Sequence, residues 1–223
     1  DEAAYSEMLV HPAVQVLGKK TSKILIVGGG DGAVAEELLK YEFIKTIDLV
    51  DIDKEVVDLC KKYFKKINKK SLTNKKLKIF YEDALKYIKE TDQIYDLIIA
   101  DRPDPIGAGK SLYKLGFYES IKNKMSHNSI AIFQSGVPFL QKNEIKKVMT
   151  DVRKFFKYSG CFLTVVPSYI GGFMTLVWAS NNTNLLREKK VLFRKNIRTN
   201  YFNKDVLIAS FSLPNFIKKL TNN

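Results

Sequence analysis

The sequence predicts an α/β fold: a mixed, mainly parallel sheet with helices on both faces and an antiparallel final strand pair. Two observations predict it. Short apolar runs alternate with stretches of helical period up to about residue 157, and that rhythm implies a parallel sheet covered on both sides. The last two apolar runs, 161–166 and 173–179, are separated only by Pro167-Ser168-Tyr169-Ile170-Gly171-Gly172. That link is too short for a helical crossover, so these two strands must pair antiparallel.

The elements follow in order. A strand over 23–27 runs into glycines, and a helix over 33–41 follows. The next strand is 46–50 and the next helix 54–66. A third strand, 77–81, precedes a short helix over 84–89. A fourth strand, 95–100, stops at two aspartates laced with prolines. A helix lies within 112–125, a fifth strand spans 129–134, and a helix covers 143–157. No element is predicted for the opening residues 1–22. The tail from 181 has no regular pattern until 205–211, which is apolar and is expected to pack back on the body. No repeat or low-complexity linker divides the chain, so one domain over 1–223 is expected.

The 223 residues are 45% hydrophobic and 27% charged, a globular balance. No apolar run is long enough to cross a bilayer, and the start, DEAAYSEML, is acidic and polar rather than a signal peptide. Cytoplasmic location is the expectation. Cys60 falls in a helical pattern and Cys161 in a strand, as reduced core thiols do. His11 and His127 are isolated, so no metal site is expected. Lys and Arg number 37 against 24 Asp and Glu, a net charge of +13. The lysines are scattered and only 61–76 approaches a patch. With no zinc finger, RNA-recognition signature or basic zipper, no specific nucleic-acid partner is expected.

The chemistry concentrates where strands end. Gly28-Gly29-Gly30-Asp31-Gly32 follows the first strand and opens the first helix. Gly28 and Gly30 fit a dinucleotide fingerprint, with Ala33 at its third position. Asp31 inside the loop argues against a pyrophosphate, which prefers bare amides, and suits a cation such as a sulfonium or amine. Its competing role is to cap the helix. Asp51 ends the second strand about 20 residues on, where an acid takes ribose hydroxyls. Asp53 and Asp83 can cap the helices that follow them or face a ligand. Asp101 and Asp104 follow the fourth strand. Four successive strands thus deliver an acid to the carboxyl edge of the sheet, where open α/β sheets bind ligands. An acidic cleft in a basic chain points to a cationic substrate.

Asp1-Glu2-Ala3-Ala4-Tyr5-Ser6-Glu7-Met8, the glycine loop, Val50-Asp51-Ile52-Asp53, Asp101-Arg102-Pro103-Asp104-Pro105-Ile106-Gly107, the Pro167–Gly172 link and Ile208-Ala209-Ser210-Phe211-Ser212-Leu213-Pro214 come in the order and spacing of the spermidine synthases. The chain resembles this family of polyamine aminopropyltransferases over essentially its whole length. The resemblance implies a Rossmann-like, class I methyltransferase-type fold, without the small β-rich N-terminal domain that precedes it in the family. It implies aminopropyl transfer from decarboxylated S-adenosylmethionine to putrescine, giving spermidine and 5′-methylthioadenosine, with no permanently bound cofactor and a homodimer or homotetramer as the assembly. Carried over residue by residue, Gly28 and Asp31 meet the donor, Asp31 at its amine; Asp51 takes its ribose, and Asp83 with Ala84 reads its adenine. Asp101 is the acid-base position. Tyr5, Asp101, Asp104, Gln134 and Tyr169 line the diamine site. An amine attacks carbon only through a free lone pair, so an alkylammonium must first lose a proton, and a partly desolvated carboxylate can bind the cation and take that proton. Transfer to a different amine such as agmatine, or methyl transfer on the same fold, are the alternative activities. A non-catalytic nucleic-acid binder is a third.

The sequence departs from the family pattern at Ser6, Glu36, Arg102, Pro103 and Ala108. Arg102 beside Asp101 leaves two expected orientations: paired with that carboxylate, lowering its pKa, or turned to solvent.

Overall fold

The computed structural model describes residues 1–188 and 197–221. Its elements are α1 (Glu2–Leu17), β1 (Lys23–Gly28), α2 (Ala33–Leu39), β2 (Thr46–Val50), α3 (Lys54–Tyr63), α4 (Lys65–Asn68), β3 (Leu77–Phe80), α5 (Ala84–Glu90), β4 (Tyr95–Asp101), α6 (Leu115–Asn123), β5 (Met125–Gln134), α7 (Lys142–Phe155), β6 (Tyr158–Val165), β7 (Phe173–Ser180), α8 (Leu185–Glu188), α9 (Lys204–Ser210) and α10 (Asn215–Thr221). The seven strands form one sheet in the order β3-β2-β1-β4-β5-β7-β6. The first five are parallel. β7 runs antiparallel to both β5 and β6, as the short link demands. The order reverses between β1 and β4, which opens a crevice at their carboxyl ends.

Alternate residues of the central strands feed two apolar layers. Ile24, Ile26, Leu97 and Ile99 pack under α1 and α2. Leu25, Val27, Ile98 and Ala100 pack under α5, α6 and α7. Burial on both faces is why these strands are apolar without alternation.

Two elements differ in kind from expectation, and a third has no type assigned by the sequence. The opening segment is a helix, α1, although Pro12 lies inside it and removes one helical hydrogen bond. Twelve of its 16 residues are buried, so it shows no polar stripe from which its period could be read. The predicted 54–66 helix breaks at Phe64, whose backbone leaves helical geometry between α3 and α4. The apolar 205–211 stretch lies mostly in a helix, α9. The tail does pack back: Leu207, Phe211 and Ile217 are buried, and the Glu7 carboxylate accepts from the N–H groups of Asn200, Tyr201 and Phe202 at 2.8, 2.9 and 2.6 Å. Cys60 and Cys161 are buried free thiols. No helix among the described residues is long and apolar enough to cross a membrane.

Candidate active site

The β1–α2 turn is shaped by what lies across it. Gly28 has φ +80°, and a Cβ there would sit 2.0 Å from the Asp101 carbonyl oxygen, so only glycine fits. A Cβ on Gly30 would meet Asp51 Oδ2 at 2.6 Å, and the bare Gly30 N–H donates to that oxygen at 3.0 Å. The other Asp51 oxygen accepts from Asp53 N–H at 2.9 Å. Asp51 is thereby locked by backbone at the tip of β2. Asp53 caps α3 through Val56 N–H at 3.0 Å. Asp83 caps α5 through Lys86 N–H at 2.9 Å and, with Ala84, also faces the crevice. Asp31 likewise does both: one oxygen accepts from Ala33 N–H at 2.9 Å while the residue lines the crevice. Burial pushes its pKa up, the Ala33 amide pulls it down and Asp51 raises it.

Asp101 ends β4, paired in the parallel ladder with Gly28. Tyr5, one turn into α1, donates its hydroxyl to Asp101 Oδ1 at 2.6 Å. Burial is the main force raising the Asp101 pKa, to about 7; Asp31, Glu2 and Asp51 push the same way, and the Tyr5 hydrogen bond opposes them. The Tyr5 phenol is itself pushed well up by burial and by Asp101. Asp104 is exposed and accepts from Gln141 Nε2 at 2.9 Å. Gln134 is buried at the end of β5, with its amide oxygen 3.1 Å from the Tyr113 hydroxyl. Tyr169 is half exposed on the β6–β7 link.

The structure gathers all the candidate residues, Tyr5, Gly28, Asp31, Asp51, Asp83, Ala84, Asp101, Asp104, Gln134 and Tyr169, around one cleft of about 720 Å³. Nine acidic residues line it, against one basic residue, Arg102. Such a wall recruits cations. Sequence reasoning missed Glu2. It precedes Tyr5 by three residues, so both share one face of α1, a signal legible only once that segment is known to be helical. Burial and Asp31 raise the Glu2 pKa. Among the described residues no group of three His, Cys, Asp or Glu side chains is arranged to hold a metal.

Both expected orientations of Arg102 are overturned. The side chain is 2% exposed, so it does not reach solvent, and its guanidinium does not pair with Asp101. It enters the aromatic layer on the α6 face, where Nε donates to Gln134 O at 3.2 Å, Nη2 to Tyr118 Oη at 3.2 Å and Nη1 to Leu112 O. The guanidinium also lies 3.8 Å from the Tyr113 ring centre. Stacking and carbonyl acceptors make this a better home for arginine than the acidic cleft, where a cation would compete with substrate. At the other departures, Ser6 donates to Glu2 O at 2.9 Å, within α1. Glu36 pairs with Lys69 at 2.8 Å and Lys40 at 3.5 Å. The side chain of Ala108 lies outside the described residues.

The model of the spermine/spermidine synthase domain matches residues 2–190 of this chain. The chain belongs to the spermine/spermidine synthase family. It is 39% identical to the polyamine aminopropyltransferase of Buchnera aphidicola subsp. Acyrthosiphon pisum (strain APS), covering 97% of this chain and 77% of that protein. It is 32% identical to polyamine aminopropyltransferase 1 of Pseudomonas aeruginosa, again over 97% of this chain and 77% of the relative. A crystal structure of spermidine synthase in complex with the transition-state analogue AdoDATO superposes with a TM-score of 0.93 at 27% identity, covering 100% of this chain and 76% of that one. The Thermotoga maritima spermidine synthase gives 0.91 at 26%, over 100% and 75%. The synthases therefore share this chain's overall fold, and the chain is an aminopropyltransferase.

Proposed function

We propose that this chain transfers the aminopropyl group of decarboxylated S-adenosylmethionine to putrescine, yielding spermidine and 5′-methylthioadenosine. The observation that carries the reading is Asp101, held by Tyr5 in a cleft lined by eight further acidic residues. In this reading Asp51 takes the ribose, Asp83 and Ala84 meet the adenine, and Asp31 with Gly28 receives the aminopropyl arm. Asp101, Asp104, Tyr5, Gln134 and Tyr169 surround the diamine. The attacking nitrogen gives a proton to Asp101, its lone pair forms the new N–C bond, and the C–S bond breaks with its electron pair going to sulfur. That discharges the sulfonium as a neutral thioether.

Magnitudes favour Asp101 as the base. An alkylammonium has a pKa of about 10.4 and an ordinary aspartate about 3.9, a gap of roughly 6.5 units. In the ligand-free cleft Asp101 is raised to about 7, which narrows that gap. Orientation of nitrogen against the carbon–sulfur axis supplies much of the remaining acceleration. The test is product analysis by mass spectrometry, offering S-adenosylmethionine and its decarboxylated form with putrescine, agmatine and no amine. Spermidine and 5′-methylthioadenosine should form only from the decarboxylated donor with putrescine. Methylated products from S-adenosylmethionine, or aminopropyl transfer to agmatine alone, would replace this reading.

A further inference from the structure

Asp31, Asp51 and Asp83 each accept a main-chain N–H from the turn they sit in. Asp104 has no such amide to use. Pro105 follows it and carries no N–H, and the Ile106 N–H donates instead to Asp104 O at 2.6 Å. Among the described residues, the hydrogen bond to its carboxylate comes from a side chain 37 positions away: Gln141 Nε2 donates to Asp104 Oδ1 at 2.9 Å. Gln141 is the N-cap of α7 and is not itself among the residues lining the cleft, whereas Asp104 is. The other end of the Gln141 amide is held too. Its Oε1 accepts from Val137 N–H at 2.7 Å, and its own N–H donates to Val137 O at 2.8 Å. A backbone N–H can only donate, so Val137 dictates which end of the side chain is oxygen and turns Nε2 toward Asp104. Gly136 makes the seat: its φ is +95°, and a Cβ there would sit 2.7 Å from Gln141 Oε1. The β5–α7 turn is thus closed by reciprocal hydrogen bonds and aims one donor at the Asp104 carboxylate.

We propose that Gln141 is a positioning residue for the acceptor: from outside the cleft it fixes Asp104 in one orientation, leaving Oδ2 to receive an ammonium of the diamine. The proposal rests on the aminopropyl-transfer reading above. Asp104 is exposed on a loop between two prolines. An untethered side chain there would give up its rotamers on binding, a cost that an existing hydrogen bond removes in advance. A neutral amide suits the task. A cation at 141 would neutralise the carboxylate that the ammonium needs, whereas the amide donates and leaves the charge in place. The gain falls on the acceptor alone, because Asp31, Asp51 and Asp83 are held by main chain that Gln141 does not touch.

The experiment is a double-mutant cycle on the putrescine reaction, measuring kcat and the KM of each substrate in the wild type, Gln141→Met, Asp104→Ala and the double variant. Methionine keeps the length of the side chain and removes both its donor and its acceptor. In Gln141→Met the putrescine KM should rise about tenfold, the size of one hydrogen bond to a charged group. The kcat and the donor KM should stay within about twofold of wild type, the pattern of lost ground-state binding. In the Asp104→Ala background the same substitution should change the putrescine KM by less than about twofold, because the group through which Gln141 acts is gone. An unchanged putrescine KM in Gln141→Met would overturn the proposal. So would a full tenfold rise that persists without Asp104. A joint loss of kcat and of both KM values would reduce Gln141 to a structural brace of the β5–α7 turn. If Gln141→Met does not fold, Gln141→Asn carries the same expectations, because its amide is one methylene too short to span Val137 and Asp104 together. A wild type that makes no spermidine from putrescine fails the functional reading itself, an outcome separate from any coupling between the two residues.

Discussion

The two halves of the cleft are built differently. On the side formed by β1, β2 and β3, each carboxylate is held by main chain, mostly nearby: Asp31 by Ala33 two residues on, Asp51 by Asp53 two residues on and by Gly30 in the adjoining turn 21 positions back, Asp83 by Lys86 three residues on. On the side of β4 and β5 the ties are long-range: Tyr5 to Asp101 across 96 positions, Gln141 to Asp104 across 37, Arg102 to Gln134 across 32. The first half is a set of strand-to-helix turns whose bonds are mostly internal, with Gly30 and Asp51 joining two neighbouring turns. The second exists only once distant elements have docked. The lesson is that one wall of a cleft can be held largely by local geometry, while the other depends on tertiary contacts that single substitutions alter.

Three substitutions would sharpen or break that contrast, beginning with the largest effect. Asp101→Asn should cut turnover by about 10²–10⁴ and leave donor affinity nearly intact. The same change should alter stability with a defined sign. The folded pKa of about 7 lies above that of an unfolded aspartate, so the folded state holds a proton that the unfolded state releases. Stability of the ligand-free wild type therefore falls as pH rises from about 4 to about 7. Asparagine escapes that loss, so the inactive variant should melt higher than wild type at pH 8, with the advantage gone below pH 4. Wild-type turnover in Asp101→Asn would dismantle the catalytic assignment, and a lower melting temperature at pH 8 would contradict the electrostatic account.

Asp31→Asn probes the other half. A lost charge-assisted hydrogen bond costs on the order of 1.5–3 kcal/mol, so affinity for decarboxylated S-adenosylmethionine should fall by about one to two orders of magnitude. Affinity for 5′-methylthioadenosine, which has no amine, should barely change. Equal losses for both by calorimetry would assign Asp31 to holding the start of α2 and nothing more.

Tyr5→Phe has the smallest expected effect and reads out in pH. Its hydroxyl favours ionised Asp101. Without it, the midpoint at which kcat/KM rises with pH should lie higher than in the wild type. Activity should drop several-fold at pH 7 and recover at pH 9. A profile of unchanged midpoint would make Tyr5 a wall of the diamine site and not a regulator of the base.

Legibility of the fold tracks the same division. The strands and the helices α2, α5 and α7 announce themselves because each buries one face or both in a regular period. α1 does not, because it is packed on nearly every side and interrupted by Pro12, and its Glu7 and His11 look like surface residues until the tail and α2 are folded over them. At the cleft, glycine loops and strand-end aspartates are local patterns and could be read directly. Glu2 could not, nor could the course of Arg102, for which both orientations conceivable from its neighbours were wrong.

The sequence by itself determined the alternation that makes a parallel sheet, the antiparallel return forced by a short link, and the delivery of acids to one edge. These follow from spacing and from main-chain hydrogen bonds within a few residues. Tertiary structure alone decided that α1 brings Tyr5 and Glu2 against Asp101, that burial among like charges holds Asp101 near 7, and that Arg102 turns away from the acids into an aromatic layer. Each depends on desolvation and on partners tens of residues distant. No local pattern encodes how much water a carboxylate keeps, or which ring a guanidinium will meet.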